Sequence, residues 1–178
     1  MTRIYPDEPA GPFEAPPLSF EDKEGRTVEI RAFDGDVDAL VAMYLDFDPE
    51  DRAQGIPPTG EERIRDWLDG IASEDCVNVV ARANEQVVGH ATLVPDGGAG
   101  YELAIFVLSS YQNAGIGTRL ITALLGQGER EGVDRVWLTV ERWNAPAIAL
   151  YRKVGFESSK SESFEMEMSL RLDPGRRD

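Results

Sequence analysis

The stretch FVLSSYQNAGIGTRL, residues 106–120, constrains this chain more than any other. An apolar strand runs out at Val107 or Leu108, and a short turn follows. Gly115-x-Gly117 then opens a helix carrying Leu120, Ile121, Leu124 and Leu125 on one face. The first N–H groups of a helix lack internal partners and sit at the positive end of its dipole. Glycine lets an anion approach that backbone closely, so this turn can hold a phosphate without a lysine. Two other glycine-rich phosphate sites do not fit. A P-loop needs a lysine after its second glycine, and the stretch has none. The dinucleotide fingerprint needs a third glycine where Arg119-Leu120 stand. On these residues alone, a strand-to-helix turn with no ligand stays open.

The rest of the chain predicts the setting of that turn. Residues 1–17 hold five prolines and read as an extended arm. Two alternating runs around Lys23-Glu24-Gly25-Arg26 predict a β-hairpin. Val37, Leu40, Val41, Tyr44 and Leu45 predict a helix capped by Asp34 or Asp36. A turn-rich loop over 48–58 leads to a second helix, with Thr59 and Glu62 as a capping box and Ile64, Trp67, Leu68 and Ile71 as its stripe. Strands follow at 77–83, 87–94 and 101–109, the first two joined by a hairpin turn at Asn84-Glu85-Gln86. After the glycine-opened helix come a strand at 135–140, a short helix at 144–154 and one or two closing strands. Asn144 caps that short helix and Gly155 stops it. The expectation is one α/β (α+β mixed) domain over 18–172. Its central mixed, mostly antiparallel sheet has six to seven strands flanked by about four helices, and 173–178 form a tail.

Charge and cysteine content exclude several functions. The net charge of −15 argues against nucleic acid as a direct ligand, which needs basic patches. The single cysteine, Cys76, cannot form an internal disulfide, and no Cys/His spacing suggests a metal. His90 is the only histidine and no Gly-x-Ser-x-Gly elbow accompanies it, which leaves Ser-His-Asp chemistry unsupported. Neither a secretory signal nor a membrane span is visible, so a cytoplasmic protein, monomer or homodimer, is expected. Lys23, Lys153 and Lys160 are the three lysines among 18 basic residues. So acidic and lysine-poor a chain reads either as adaptation to a salty cytoplasm, where screening weakens carboxylate repulsion, or as an ordinary acidic surface.

Downstream of the glycine turn, LTVERWNAPAIALYRKVGFE resembles the second signature of the GNAT superfamily of N-acetyltransferases, with Asn144, Tyr151 and Gly155-Phe156 in the expected places. Gln112-Asn-Ala-Gly115-Ile-Gly117 resembles the superfamily's main signature, and the two lie in the right order. The resemblance covers roughly residues 27–170. It implies acetyl-CoA as cosubstrate, with no metal. The backbone around Phe106 and Val107 would pair with the pantetheine arm like an added strand. Amides of Gln112, Asn113, Ala114, Gly115, Ile116, Gly117 and Thr118 would hold the pyrophosphate. Asn144 would contact the coenzyme, and Tyr151 would sit near the thioester sulfur. Where the superfamily often has arginine or lysine before the first motif glycine, this chain has Ala114.

Transfer of acetyl to an amine needs a base, because a lysine ammonium with a pKa of about 10.4 cannot attack at neutral pH. Glu102 is the candidate. It is a lone acid on an apolar strand, sharing a face with Ala104 and Phe106. The segment also resembles Pat-type protein lysine acetyltransferases, in which a glutamate at this place serves as base. Tyr151 is the candidate acid for the departing thiolate; it also suits packing beside Ile148 and Val154. Asp46, Asp48, Glu50 and Asp51 could draw a cationic acceptor, with a protein lysine favoured and a polyamine or aminoglycoside-like amine as the alternative. A domain that senses acyl-CoA without turnover is the reading from outside the enzymes.

Overall fold

A computed structural model describes residues 3–52, 56–161 and 164–176. The strands are β1 (Leu18–Glu21), β2 (Thr27–Ala32), β3 (Val77–Ala83), β4 (Gln86–Pro95), β5 (Tyr101–Val107), β6 (Arg135–Glu141), β7 (Glu157–Ser161) and β8 (Glu165–Arg171). The helices of at least two turns are α1 (Val37–Leu45), α2 (Glu61–Ile71), α3 (Ile116–Arg130) and α4 (Ala145–Val154). One sheet of order β1-β2-β3-β4-β5-β6-β8-β7 holds all eight strands. Every neighbouring pair is antiparallel except β5 and β6, the parallel pair that the α3 crossover requires. The expected six to seven strands become eight because the C-terminal segment folds back on itself as β7 and β8.

Strand alternation sends the helices to opposite faces. In β4, Gly89 turns toward α3, where a Cβ on it would lie 3.1 Å from Leu120 Cδ2. Its neighbour His90 turns to α1 and bonds Tyr44. Leu120, Ile121, Leu124 and Leu125 are all within 1% of complete burial. Each such side chain contributes about 1.5–3 kcal/mol through removal from water. On the same helix Gly126 faces the N-terminal arm so closely that a Cβ would meet the backbone of Glu14 and Ala15 at 2.7 Å. The arm is further tied by Ala10 N–H to Arg171 O (2.7 Å) and by Ser169 Oγ to Ile4 O (2.9 Å).

Local signals set most helix ends. Asp36 caps α1 by accepting from Ala39 N–H, and Asn144 caps α4 by accepting from Ala147 N–H. The capping box at Thr59 does not form. The residue before α2 is Gly60, at φ 89°, and no side chain caps that helix. Residues 53–55 of the preceding loop and 177–178 of the tail lie outside the described residues. Among the described residues no helix is long and apolar enough to cross a membrane.

His90 is fully buried in a polar chain that joins α1, β3, β4 and α2. Its Nδ1 lies 2.6 Å from Tyr44 Oη and its Nε2 2.6 Å from Asn78 Oδ1. Asn78 Nδ2 donates to Ile71 O, as does Thr92 Oγ1. Because Asn78 Oδ1 can only accept, Nε2 carries the proton and Nδ1 accepts from the tyrosine. Burial pushes the imidazole pKa down to about 3. An unfolded histidine titrates near about 6.5, so stability is complete above that pH. It falls as pH drops toward 3, where the unfolded chain takes a proton that the folded one refuses. His90→Leu should lower stability at pH 7 by about 2–4 kcal/mol through two orphaned partners. Its unfolding free energy should then fall less steeply between pH 6 and 4 than the wild type's, by up to ~1.4 kcal/mol per pH unit. Parallel pH profiles in urea titrations would contradict this network.

Candidate active site

The parallel join between β5 and β6 is short. Only Tyr101–Val136 and Glu102–Trp137 pair, after which β6 stays with β8 along its whole length and β5 stays with β4. The two strands diverge around a cleft of about 560 Å³. Residues 103–107 form one wall; Thr139, Val140 and Glu141, with Asn144, Ala147 and Tyr151 of α4, form the other. Leu108 N–H bonds Val88 O, which fixes the alternation along β5. Even-numbered residues bond β4, while Ile105 and Val107 turn N–H and C=O into the cleft. Of the expected strand-like edge around Phe106 and Val107, Val107 N–H turns to the cleft and the backbone of Phe106 is engaged with β4.

Phe106 contributes its ring instead. It stands edge-on to Tyr44 (5.7 Å), Trp67 (5.3 Å) and Phe47 (6.2 Å), an aromatic cluster binding α1 and α2 to the sheet on the Glu102 face. Local sequence gave no signal for this cluster, because its members come from α1, the loop after it, α2 and β5.

At the open end of β5, the turn into α3 has the geometry for an anion. Asn113 (φ 58°) and Gly115 (φ 90°) are left-handed, and Gly115 is the residue before the first helical turn. Ala114 and Ile116 are buried at 2% and 0% exposure, so their side chains pack into the core and anchor the turn. A Cβ on Gly117 would come within 3.8 Å of Leu150 on α4 and 4.0 Å of Ile105 on β5. The helix opening therefore sits at the mouth of the split. Thr118 follows in the first turn of α3. Gln112 Nε2 donates to Val107 O (2.9 Å) and to Asp51 Oδ2 (3.1 Å), joining this turn to the α1–α2 loop. Asn144 reaches the cleft while its Oδ1 caps α4.

Glu102 and Tyr151 line the same cleft from opposite walls. The Glu102 side chain touches solvent, yet burial of the surrounding cleft floor pushes its carboxyl above the ordinary carboxylate value. Arg3 pulls it down, and Asp96 and Glu165 push it up. Arg3 belongs to the N-terminal arm. It lies 3.4 Å over the Trp137 ring and pairs with Glu167 (3.3 Å) and Asp96 (3.6 Å). Tyr151 packs edge-on to Phe156 at 5.8 Å, and burial raises its hydroxyl pKa to about 12. Of the four loop acids, Glu50 and Asp51 line the cleft. Asp48 caps a short turn by accepting from Glu50 N–H, and Asp46 accepts from Gln86 Nε2.

This architecture is shared by N-acetyltransferases. The GNAT domain of S. lividans PAT superposes with a TM-score of 0.72 at 18% identity, over 89% of this chain and 100% of that one. The sequence matches the acetyltransferase (GNAT) family over residues 38–156, and the chain belongs to that family. The mycothiol acetyltransferase of Saccharomonospora viridis is 33% identical over 133 residues, 70% of this chain and 42% of its own length. The ribosomal protein bS18-alanine N-acetyltransferase of Escherichia coli is 42% identical over 55 residues, 31% of this chain and 37% of its own. The chain thus spans about two fifths of the length of these curated relatives. The family's cosubstrate is acetyl-CoA.

If the glycine turn holds the coenzyme's phosphates, a carboxylate at Gly115 would stand where they meet the backbone. Gly115→Asp should weaken acetyl-CoA binding by at least about 100-fold, the worth of several charge-assisted bonds. The fold should survive with a loss of about 1–2 kcal/mol from the left-handed backbone. Unchanged affinity by calorimetry would place the phosphates elsewhere.

Proposed function

We propose that the chain is an acetyl-CoA-dependent N-acetyltransferase that moves the acetyl group to a primary amine by direct attack, with a protein lysine as the favoured acceptor. The observation that carries this reading is the shared cleft. Glu102 sits where β5 and β6 part, on the α1/α2 side, and Tyr151 faces it from α4. The acceptor arrives as an ammonium and loses one proton to Glu102, directly or through water. Its nitrogen then bonds the thioester carbonyl carbon, the carbon–sulfur bond breaks, and a second nitrogen proton ends on the sulfur. A phenol held at about 12 stays protonated, so Tyr151 serves by donating a hydrogen bond to the departing sulfur more than by surrendering its proton.

Charge supports a cationic acceptor. Glu50, Asp51, Glu141 and Glu165 surround the cleft with Glu102 in a chain of net charge −15. A protein amine is consistent with the Escherichia coli relative, whose name specifies an alanine of a ribosomal protein. A small-molecule amine is the second reading, favoured by the match to a mycothiol acetyltransferase over 70% of this chain.

Glu102→Gln keeps the shape of the wall and removes the base. Turnover should fall by roughly 100- to 10,000-fold with acetyl-CoA binding intact, and the deficit should shrink as pH rises and the amine deprotonates by itself. Tyr151→Phe should lower turnover without loss of stability. The assay is thiol release from acetyl-CoA with lysine peptides, polyamines and aminoglycosides. Wild-type turnover in both variants on the best amine would overturn these roles. Binding of acetyl-CoA with no release on any amine would favour the sensing domain.

A further inference from the structure

The motif itself brings no cation to the pyrophosphate. Ala114 stands before its first glycine with 2% of its surface exposed, so neither its side chain nor that position faces a ligand with charge. A chain of net charge −15 still has to hold a polyanion at this turn.

The β1–β2 turn, almost a hundred residues earlier in the chain, is fastened to the motif at two points. Arg26 Nη1 donates to Ser110 O at 2.9 Å, and its guanidinium lies 4.0 Å over the Tyr111 ring. Lys23 N–H donates to Ala114 O at 3.0 Å. Inside the turn, the buried Asp22 carboxylate accepts from Glu24 N–H and Arg26 N–H and pairs with Arg26 Nε at 2.7 Å. Arg26 is thereby paired with Asp22 and holds the turn in place through Nε and Nη1, while its Nη2 is buried without a hydrogen-bond partner. Arg119, on the first turn of α3, is laid over the Phe20 ring at 4.9 Å. Lys23 differs from both. Its Cε lies 3.7 Å from the position a Cβ would take on Gly115. Its side chain is exposed, and among the described residues no carboxylate lies within ion-pair distance of it.

We propose that Lys23 is the pyrophosphate-binding cation of this enzyme, carried to the glycine turn by the β1–β2 hairpin in place of the missing motif residue. The assignment rests on the reading of the cleft as an acetyl-CoA site. Its backbone bond to Ala114 fixes where the side chain starts, and the flexible ammonium then reaches the same anion as the Gly115 and Gly117 amides.

The test compares wild type, Lys23→Gln and Lys23→Arg by calorimetry with acetyl-CoA. Both variants keep the backbone bond to Ala114 and should melt with the wild type. Lys23→Gln should weaken binding about 10-fold at low salt, with the gap closing toward molar KCl, and Lys23→Arg should recover most of it. With S-acetylpantetheine, which lacks the pyrophosphate, wild type and Lys23→Gln should have the same kcat/KM. Equal affinity of wild type and Lys23→Gln for acetyl-CoA would overturn the proposal. So would an equal loss with S-acetylpantetheine, since that would mark a role in shaping the turn. A wild-type protein that does not bind acetyl-CoA would overturn the coenzyme reading itself, and this assignment with it.

Discussion

Two residue pairs join β5 to β6, and the candidate site depends on that join ending where it does. Tyr101–Val136 and Glu102–Trp137 hold the halves of the sheet together at one end. Beyond them each strand keeps its outer neighbour, β4 for β5 and β8 for β6, so the sheet opens without losing either half. The N–H groups of Ile105 and Val107 and the C=O of Ile105 are left facing a cleft instead of a strand, while Val107 O accepts from Gln112 Nε2. An unpaired strand edge of this kind can pair with an extended ligand as an added strand would.

Other features are arranged around that opening. Gly115 precedes α3 at its mouth in a left-handed conformation, and no side chain caps that helix. The placement of Gly117 beside Ile105 and Leu150 brings β5, α3 and α4 together there. Gln112 ties the turn to Asp51, so the glycine turn and the α1–α2 loop share a hydrogen bond. On the Glu102 face, the aromatic cluster around Phe106 and the Tyr44–His90–Asn78 chain fix α1 and α2 against the sheet. The N-terminal arm adds Arg3 beside Trp137, the register partner of Glu102, where its charge favours the carboxylate form.

Features written in local sequence were legible before the structure. The hairpin at Asn84-Glu85 forms with both residues at positive φ, as a two-residue turn requires. Asn144, Pro146 and Gly155 bound α4 because capping depends on neighbours a few residues away. The glycine turn, the strand carrying Glu102 and the helix carrying Tyr151 were visible for the same reason. Long-range arrangement was not. The reach of Lys23 to Gly115 depends on a hairpin docking across the sheet. The withdrawal of the Phe106 backbone depends on the register of β5 with β4. Thr59 had the residue types of a capping box, yet α2 begins two residues later behind Gly60.

If the cleft edge of β5 receives the coenzyme, amide hydrogen exchange reads that edge directly. Ile105 and Val107 N–H groups face the cleft, whereas Ala104 and Phe106 N–H groups bond β4. Acetyl-CoA at saturation should slow exchange at Ile105 and Val107 by at least about 10-fold and leave Ala104 and Phe106 as they were, already protected. Unchanged exchange at Ile105 and Val107 in a protein that demonstrably binds acetyl-CoA would contradict the account, because the coenzyme would then lie elsewhere.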